Sequence, residues 1–159
     1  MIKKYYILFI SLLAITACEK DPPANPFDGI NPVENTEEDD GVMLEATSLE
    51  GLHANVFKPT CANSGCHDGT FEPDFRTIQS TFNTLVNQPI IKNDLQNSFE
   101  YRVIPGNTEK SQLMARLTFD IDGNSGVMPL VVEPGNDWES TSQEHIENIR
   151  TWIQNGANQ

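Results

Sequence analysis

Apolar side chains recur at helical spacing in four separate stretches of the chain, each bounded by residues that start or stop helices. Leu49, Leu52, Val56 and Phe57 form the first stripe, with Thr47 or Ser48 placed to cap it and Pro59 to stop it. Ile78, Phe82, Leu85 and Val86 form the second behind Thr77, a further capping residue. Leu113, Met114 and Leu117 mark a third helix, starting at Asn107 or Thr108, with Met114 as a core residue. The fourth is the clearest. Thr141-Ser142-Gln143-Glu144 reads as a capping box, Ile146, Ile149 and Ile153 line one face with Trp152 beside it, and Asn155-Gly156 ends the run. No long alternating run suggests a sheet, so the pattern predicts an all-α domain with long loops.

The chain opens differently. Lys3 and Lys4 precede an apolar run from Ile7 to Ala17 that is shorter than the roughly 20 residues a membrane-spanning helix needs, but suits a signal peptide. It ends in Ile15-Thr16-Ala17-Cys18, which resembles a bacterial lipobox. The reading is cleavage before Cys18 and acylation of that cysteine as the new N-terminus; the alternative is an ordinary secretory signal with a coincidental cysteine. Residues 18–46 hold Pro22, Pro23, Pro26 and Pro32 and then Glu37-Glu38-Asp39-Asp40, with few large apolar side chains. Such a stretch cannot bury enough surface to offset its ordering entropy and reads as a tether. The expected organisation is a lipoprotein signal peptide at 1–17, a flexible acidic tether at 18–46 and one folded domain at 47–159. Cys18-Glu19-Lys20-Asp21 resembles the surface-export signals of Bacteroidetes lipoproteins, which leaves either a periplasmic or a cell-surface face open.

Charge narrows the class. The formal net charge is −13, and removing residues 1–17 takes away Lys3 and Lys4 and no acid, leaving −15. That balance argues against nucleic acid, whose phosphates need Lys and Arg. It suits docking to a basic partner, or simply keeps an exported protein soluble.

The candidate chemistry lies in Cys61-Ala62-Asn63-Ser64-Gly65-Cys66-His67, which contains both cysteines other than Cys18. Two thiols followed at once by a histidine make the pattern of covalent haem attachment, with four intervening residues in place of the usual two. Gly65 helps the longer loop fold back. Three other readings stay open at this point. The thiols can pair as a small structural disulfide, they can hold zinc with His67 and with His53 or His145, or one can act in thiol exchange. Four short helices over residues 47–159 make a thin core on their own, and a flat apolar group such as haem would fill it. Met128, followed by Pro129 and outside any helical stripe, is the candidate second axial ligand, since Met/His ligation is a common electron-transfer arrangement. Asp68 and Glu72 lie near His67 in sequence and read as solvated loop residues.

From Phe57 to Ala157 the chain resembles the small cytochrome c domains of exported Bacteroidetes and Planctomycetes proteins. The matching elements are Val56-Phe57 leading into Cys61–His67, Phe75-Arg76-Thr77, Asn83–Asn87, Val103-Ile104-Pro105-Gly106 through Ser111 and Leu113, Met128-Pro129, and Ile149, Trp152, Ile153, Gly156 and Ala157. The resemblance implies a small class-I-like cytochrome c fold around one covalent haem c, with thioethers to Cys61 and Cys66, His67 as proximal ligand and Met128 as distal ligand. The chain departs from the pattern at Leu130, where many relatives have a second proline, and this bears on the distal ligand.

The function expected is single-electron transfer between unidentified redox donor and acceptor proteins, on a lipoprotein held at a bacterial membrane through Cys18. If Met128 does not bind, the same domain is a gas-binding or sensory module; His53 or His145 as distal ligand makes it a bis-histidine carrier, with both otherwise facing solvent or helix neighbours. With a Cys61–Cys66 disulfide it is instead a non-haem binding lipoprotein. No Ser/His/Asp set, phosphate loop or paired-carboxylate motif stands out, so no enzyme with its own substrate is expected.

Overall fold

The computed structural model describes residues 44–159; the expected signal segment, Cys18 and nearly all of the tether lie outside them. The described residues form four α-helices and no strands, an all-α arrangement tied by isolated β-bridges.

Ser48 starts the first helix, α1 (Leu49–Leu52), its hydroxyl oxygen accepting a hydrogen bond from the Gly51 N–H at 3.0 Å. Pro59 does not stop the helical path as expected. The backbone passes from α1 into a π-helical segment, His53–Cys61, that carries Pro59 inside it. The Ala62 N–H reaches back five residues to the Phe57 carbonyl, at 3.0 Å. In α winding the proline ring would clash with the carbonyl four residues earlier; the wider turn relieves that contact. As a result Cys61 sits on the helix end and not in a free loop.

The second helix, α2 (Ile78–Leu85), has the Thr77 cap foreseen, with Ser80 completing a reciprocal box. The third, α3 (Gln112–Thr118), begins later than expected. Asn107 closes a turn instead, its side-chain oxygen accepting from the Lys110 N–H at 3.0 Å. Buried Ser111 becomes the N-cap position, and its hydroxyl is spent on Ile104 N–H and the Asn107 carbonyl. The fourth, α4 (Trp138–Gln154), begins earlier than expected. Asn136 accounts for this: its side-chain oxygen accepts from the Trp138 N–H at 2.8 Å, and its amide donates to the Pro59 carbonyl and the Thr60 hydroxyl, both at 3.1 Å. Thr141 therefore lies inside the helix, its hydroxyl donating to the Asp137 carbonyl.

The core gathers one face of each element. Phe57 stacks on Phe75 with centroids 4.9 Å apart and meets the edge of Trp152 at 6.4 Å. Leu49, Leu52, Ile149 and Ile153 pack around them, and Met114 is buried as foreseen. Burying each such side chain contributes about 1.5–3 kcal/mol relative to exposure. The chain between α2 and α3 crosses this core through Val103, which is fully buried and bridges to Val86. Gly106, at a φ of 77°, donates its N–H to the Ile153 carbonyl at 2.7 Å, fastening that crossing to the end of α4.

Candidate functional site

The core leaves one wall open. A cavity of about 420 Å³ is lined by Phe57, Phe75, Leu85, Leu113, Leu117 and Ile149 at its base, and by Cys61, Cys66, His67 and Met128. Its volume falls in the range of small-molecule and cofactor sites, roughly 300–1,000 Å³. Phe71, Ile91, Leu130 and Val131 also line it, although each is more than half exposed. Large apolar side chains left wet around a cavity mouth are those an apolar occupant would cover.

The cysteine motif is shaped by its own short-range bonds. Cys61 ends the π-helical segment half-buried, while Cys66 is exposed; both are free thiols. Burial, and secondarily the neighbouring Cys66, push the Cys61 thiol up to about 12. Gly65 takes the positive φ its longer loop needs, 77°. Asp68 is not merely a solvated residue: its carboxylate accepts from Gly65 N–H at 3.1 Å and Thr70 N–H at 3.2 Å, closing the turn on either side of His67. The Thr70 hydroxyl first, and then these backbone bonds, hold its carboxyl below the usual range.

His67 is oriented by the loop that follows. Its Nδ1 lies 2.9 Å from the Pro73 carbonyl oxygen and 3.4 Å from that of Phe71. Carbonyls only accept, so Nδ1 carries the proton and Nε2 keeps its lone pair. Phe75 sets its edge against the imidazole with centroids 5.2 Å apart. Burial lowers the His67 pKa, the two carbonyls oppose that, and the positive charge of Arg102 adds to the lowering.

Met128 reaches the same cavity from the loop between α3 and α4. Its backbone N–H donates to the Arg116 carbonyl at 2.8 Å, tying it to α3. Asp122, earlier in that loop, pairs with Lys92 at 2.6 Å and accepts from the Ser125 hydroxyl at 2.8 Å. Lys92, Ser125 and Met128 all line the cavity, so this ion pair draws the methionine loop toward the facing wall.

Cys61, Cys66, His67 and Met128 are thus brought together, whereas His53 and His145 are not. Both were expected to face solvent or helix neighbours. His53 is buried instead, with Nε2 3.1 Å from the Phe75 carbonyl oxygen. His145 is also buried and stacks on its helix neighbour Trp138. Among the described residues, no group of three or more His, Cys, Asp or Glu is disposed to hold a metal ion.

The pattern of apolar positions missed the cavity's cations, Lys92, Arg102 and Arg116. Arg102 is buried, its guanidinium donating to Glu72 at 2.7 Å and to the Thr84 carbonyl. Glu72, read as a solvated loop residue, is thereby an ion-pair partner, although its side chain stays mostly exposed. A helical register could have found Arg116: Gln112, Leu113, Arg116 and Leu117 share one face of α3, and all four line the cavity.

The donor set fits a haem. Two thiols suit two thioether bonds, an imidazole with a free Nε2 and a thioether sulfur suit the iron, and the apolar walls suit the ring. No helix among the described residues is long and apolar enough to cross a membrane. No protein-family model, curated protein or solved structure compared with the chain matches it.

Proposed function

We propose that the chain is a single-electron carrier: a lipoprotein anchored through Cys18 whose folded domain, of class-I-like cytochrome c type, binds one covalent haem c. Cys61 and Cys66 would hold the ring as thioethers, and His67 and Met128 would be the axial ligands. The observation that supports this most is the convergence of those four residues on one apolar cavity of about 420 Å³.

When bound, the haem supplies a one-electron couple. The chain's own residues prepare the site for it. The Pro73 carbonyl fixes the His67 tautomer and, by accepting a hydrogen bond from Nδ1–H, makes Nε2 a better electron-pair donor. Phe57 and Phe75 back the imidazole with a stacked apolar pair and keep water from the base of the site. The Arg116 carbonyl and the Lys92–Asp122 pair fix the approach of Met128. A soft sulfur ligand and apolar walls favour the reduced state and raise the potential. Electrons would come from and pass to partner proteins, and the acidic chain suits a basic docking surface.

The test is an alkaline pyridine haemochrome spectrum of the full chain, made in cells with cytochrome c maturation, beside a Cys61→Ala/Cys66→Ala variant. A c-type band in wild type alone supports the reading. A colourless wild type, in cells where a control cytochrome matures, overturns it and favours a non-haem binding lipoprotein.

A further inference from the structure

Arg116 has an unmet need. Its Nη1 is buried and, among the described residues, has no hydrogen-bond partner, while Nη2 makes only a long contact of 3.4 Å to the Lys92 carbonyl. A buried, unpaired guanidinium N–H is costly, and such groups are rare unless something absent from the protein itself satisfies them. The side chain lines the cavity, so the missing partner belongs to whatever occupies that space.

The other cavity cations are already engaged. Arg102 serves Glu72 and the Thr84 carbonyl, and Lys92 serves Asp122 and Ser125. Cations are also scarce here, with 10 Lys and Arg against 23 Asp and Glu in the whole chain. An arginine kept on a cavity wall without a carboxylate partner among the described residues is placed for an anionic ligand group, which a guanidinium can grip through two parallel N–H bonds.

We propose that Arg116 is the carboxylate-binding residue of this cavity and that it pairs with a propionate of the haem. The inference rests on the haem reading above and adds a residue the cysteine–histidine motif does not contain. The site then matches an amphiphile: apolar walls for a planar ring and one arginine for its acidic edge.

The first test uses the matured full chain, comparing midpoint potential from pH 5 to 8 in wild type, Arg116→Gln and Arg116→Lys. An ionised propionate favours oxidised iron, and a paired guanidinium both offsets that effect and keeps the acid ionised through the range. The wild-type potential should therefore stay nearly flat with pH. Arg116→Gln should be lower at pH 8 and climb toward acid as the unpaired propionate protonates, and Arg116→Lys should restore most of the flat profile. An Arg116→Gln profile that overlays wild type overturns the proposal.

The second test needs no maturation. In the Cys61→Ala/Cys66→Ala chain, Arg116→Gln should weaken haemin binding roughly tenfold or more, as loss of a charged hydrogen bond does, and leave haemin dimethyl ester unaffected. Equal weakening of both probes, or of neither, overturns it. Both outcomes concern Arg116 alone; a wild-type chain without covalent haem, where a control cytochrome matures, instead removes the parent reading and this inference with it.

Discussion

The Nδ1 of His67 lies 2.9 Å from the carbonyl oxygen of Pro73, six residues on, in a loop that returns beneath the imidazole. That one bond turns a histidine of undefined tautomer into one with a committed donor nitrogen and a free acceptor nitrogen. The return is enforced by the chain itself: the Phe75 N–H donates to the His67 carbonyl at 2.9 Å, and Phe75 is locked in the core against Phe57. The orientation of His67 and the packing of the core are therefore one problem here.

Replacing Met128 tests its proposed part. Met128→Ala should keep covalent haem, seen by intact mass, because the thioethers and His67 are untouched. It should open a coordination position, so that the ferrous form binds carbon monoxide readily, and its potential should fall without the sulfur ligand. A variant with wild-type spectrum and no carbon monoxide binding would assign the distal ligand elsewhere.

Phe75 links the core to the site and should be costly to lose. Phe75→Ala removes a buried ring stacked on Phe57, and about 3–5 kcal/mol of stability should go with it, read from urea unfolding of the apoprotein. Phe75→Leu should lose less. An alanine variant as stable as wild type would mean that the pocket base does not depend on this stack.

The start of α2 depends on a reciprocal cap between Thr77 and Ser80. Thr77→Ala should cost about 1 kcal/mol, again by denaturant unfolding, since it leaves the Ser80 N–H without its partner. Thr77→Asn or Thr77→Asp should recover most of that loss, because either can cap in the same way.

The methionine loop should resist mild acid. The Lys92 ammonium, then the Ser125 hydroxyl and backbone N–H groups, hold the Asp122 carboxyl well below its ordinary range. A lowered folded pKa means the stabilisation is fully present above the ordinary Asp value near 4 and is lost only as pH falls through the lower folded value. Hydrogen exchange of residues 122–128, corrected for intrinsic rates, should thus be unchanged between pH 7 and 4 in wild type. In Asp122→Asn the same amides should exchange faster across that whole range. Loosening of the wild-type loop near pH 4 would show that the pair does not hold it.

Much of this protein is local and therefore readable along the chain. The stripes Leu49–Phe57, Ile78–Val86 and Ile149–Ile153 announce helices because helical periodicity is a property of neighbouring residues. Thr77, Ser48 and Gly156 mark ends because caps and positive φ angles act within a turn. The grouping of Cys61, Cys66 and His67 is local too, which is why the candidate chemistry could be named from its spacing.

What the tertiary structure decided is non-local. Pro59 stops an α-helix on its own, yet here the winding widened and the path continued, delivering Cys61 to the cavity wall. Asn107 and the Thr141–Glu144 box were equally good starts in isolation. Buried Ser111, and Asn136 reaching across to Pro59 and Thr60, placed the real ones elsewhere. Whether His67 and Met128, far apart in sequence, would share a cavity, and whether a polar Arg116 would line it, depended on how α3 packs and where its following loop returns. A sequence records which side chains can pair, cap or bury; which of them meet is settled only when distant segments compete for the same core.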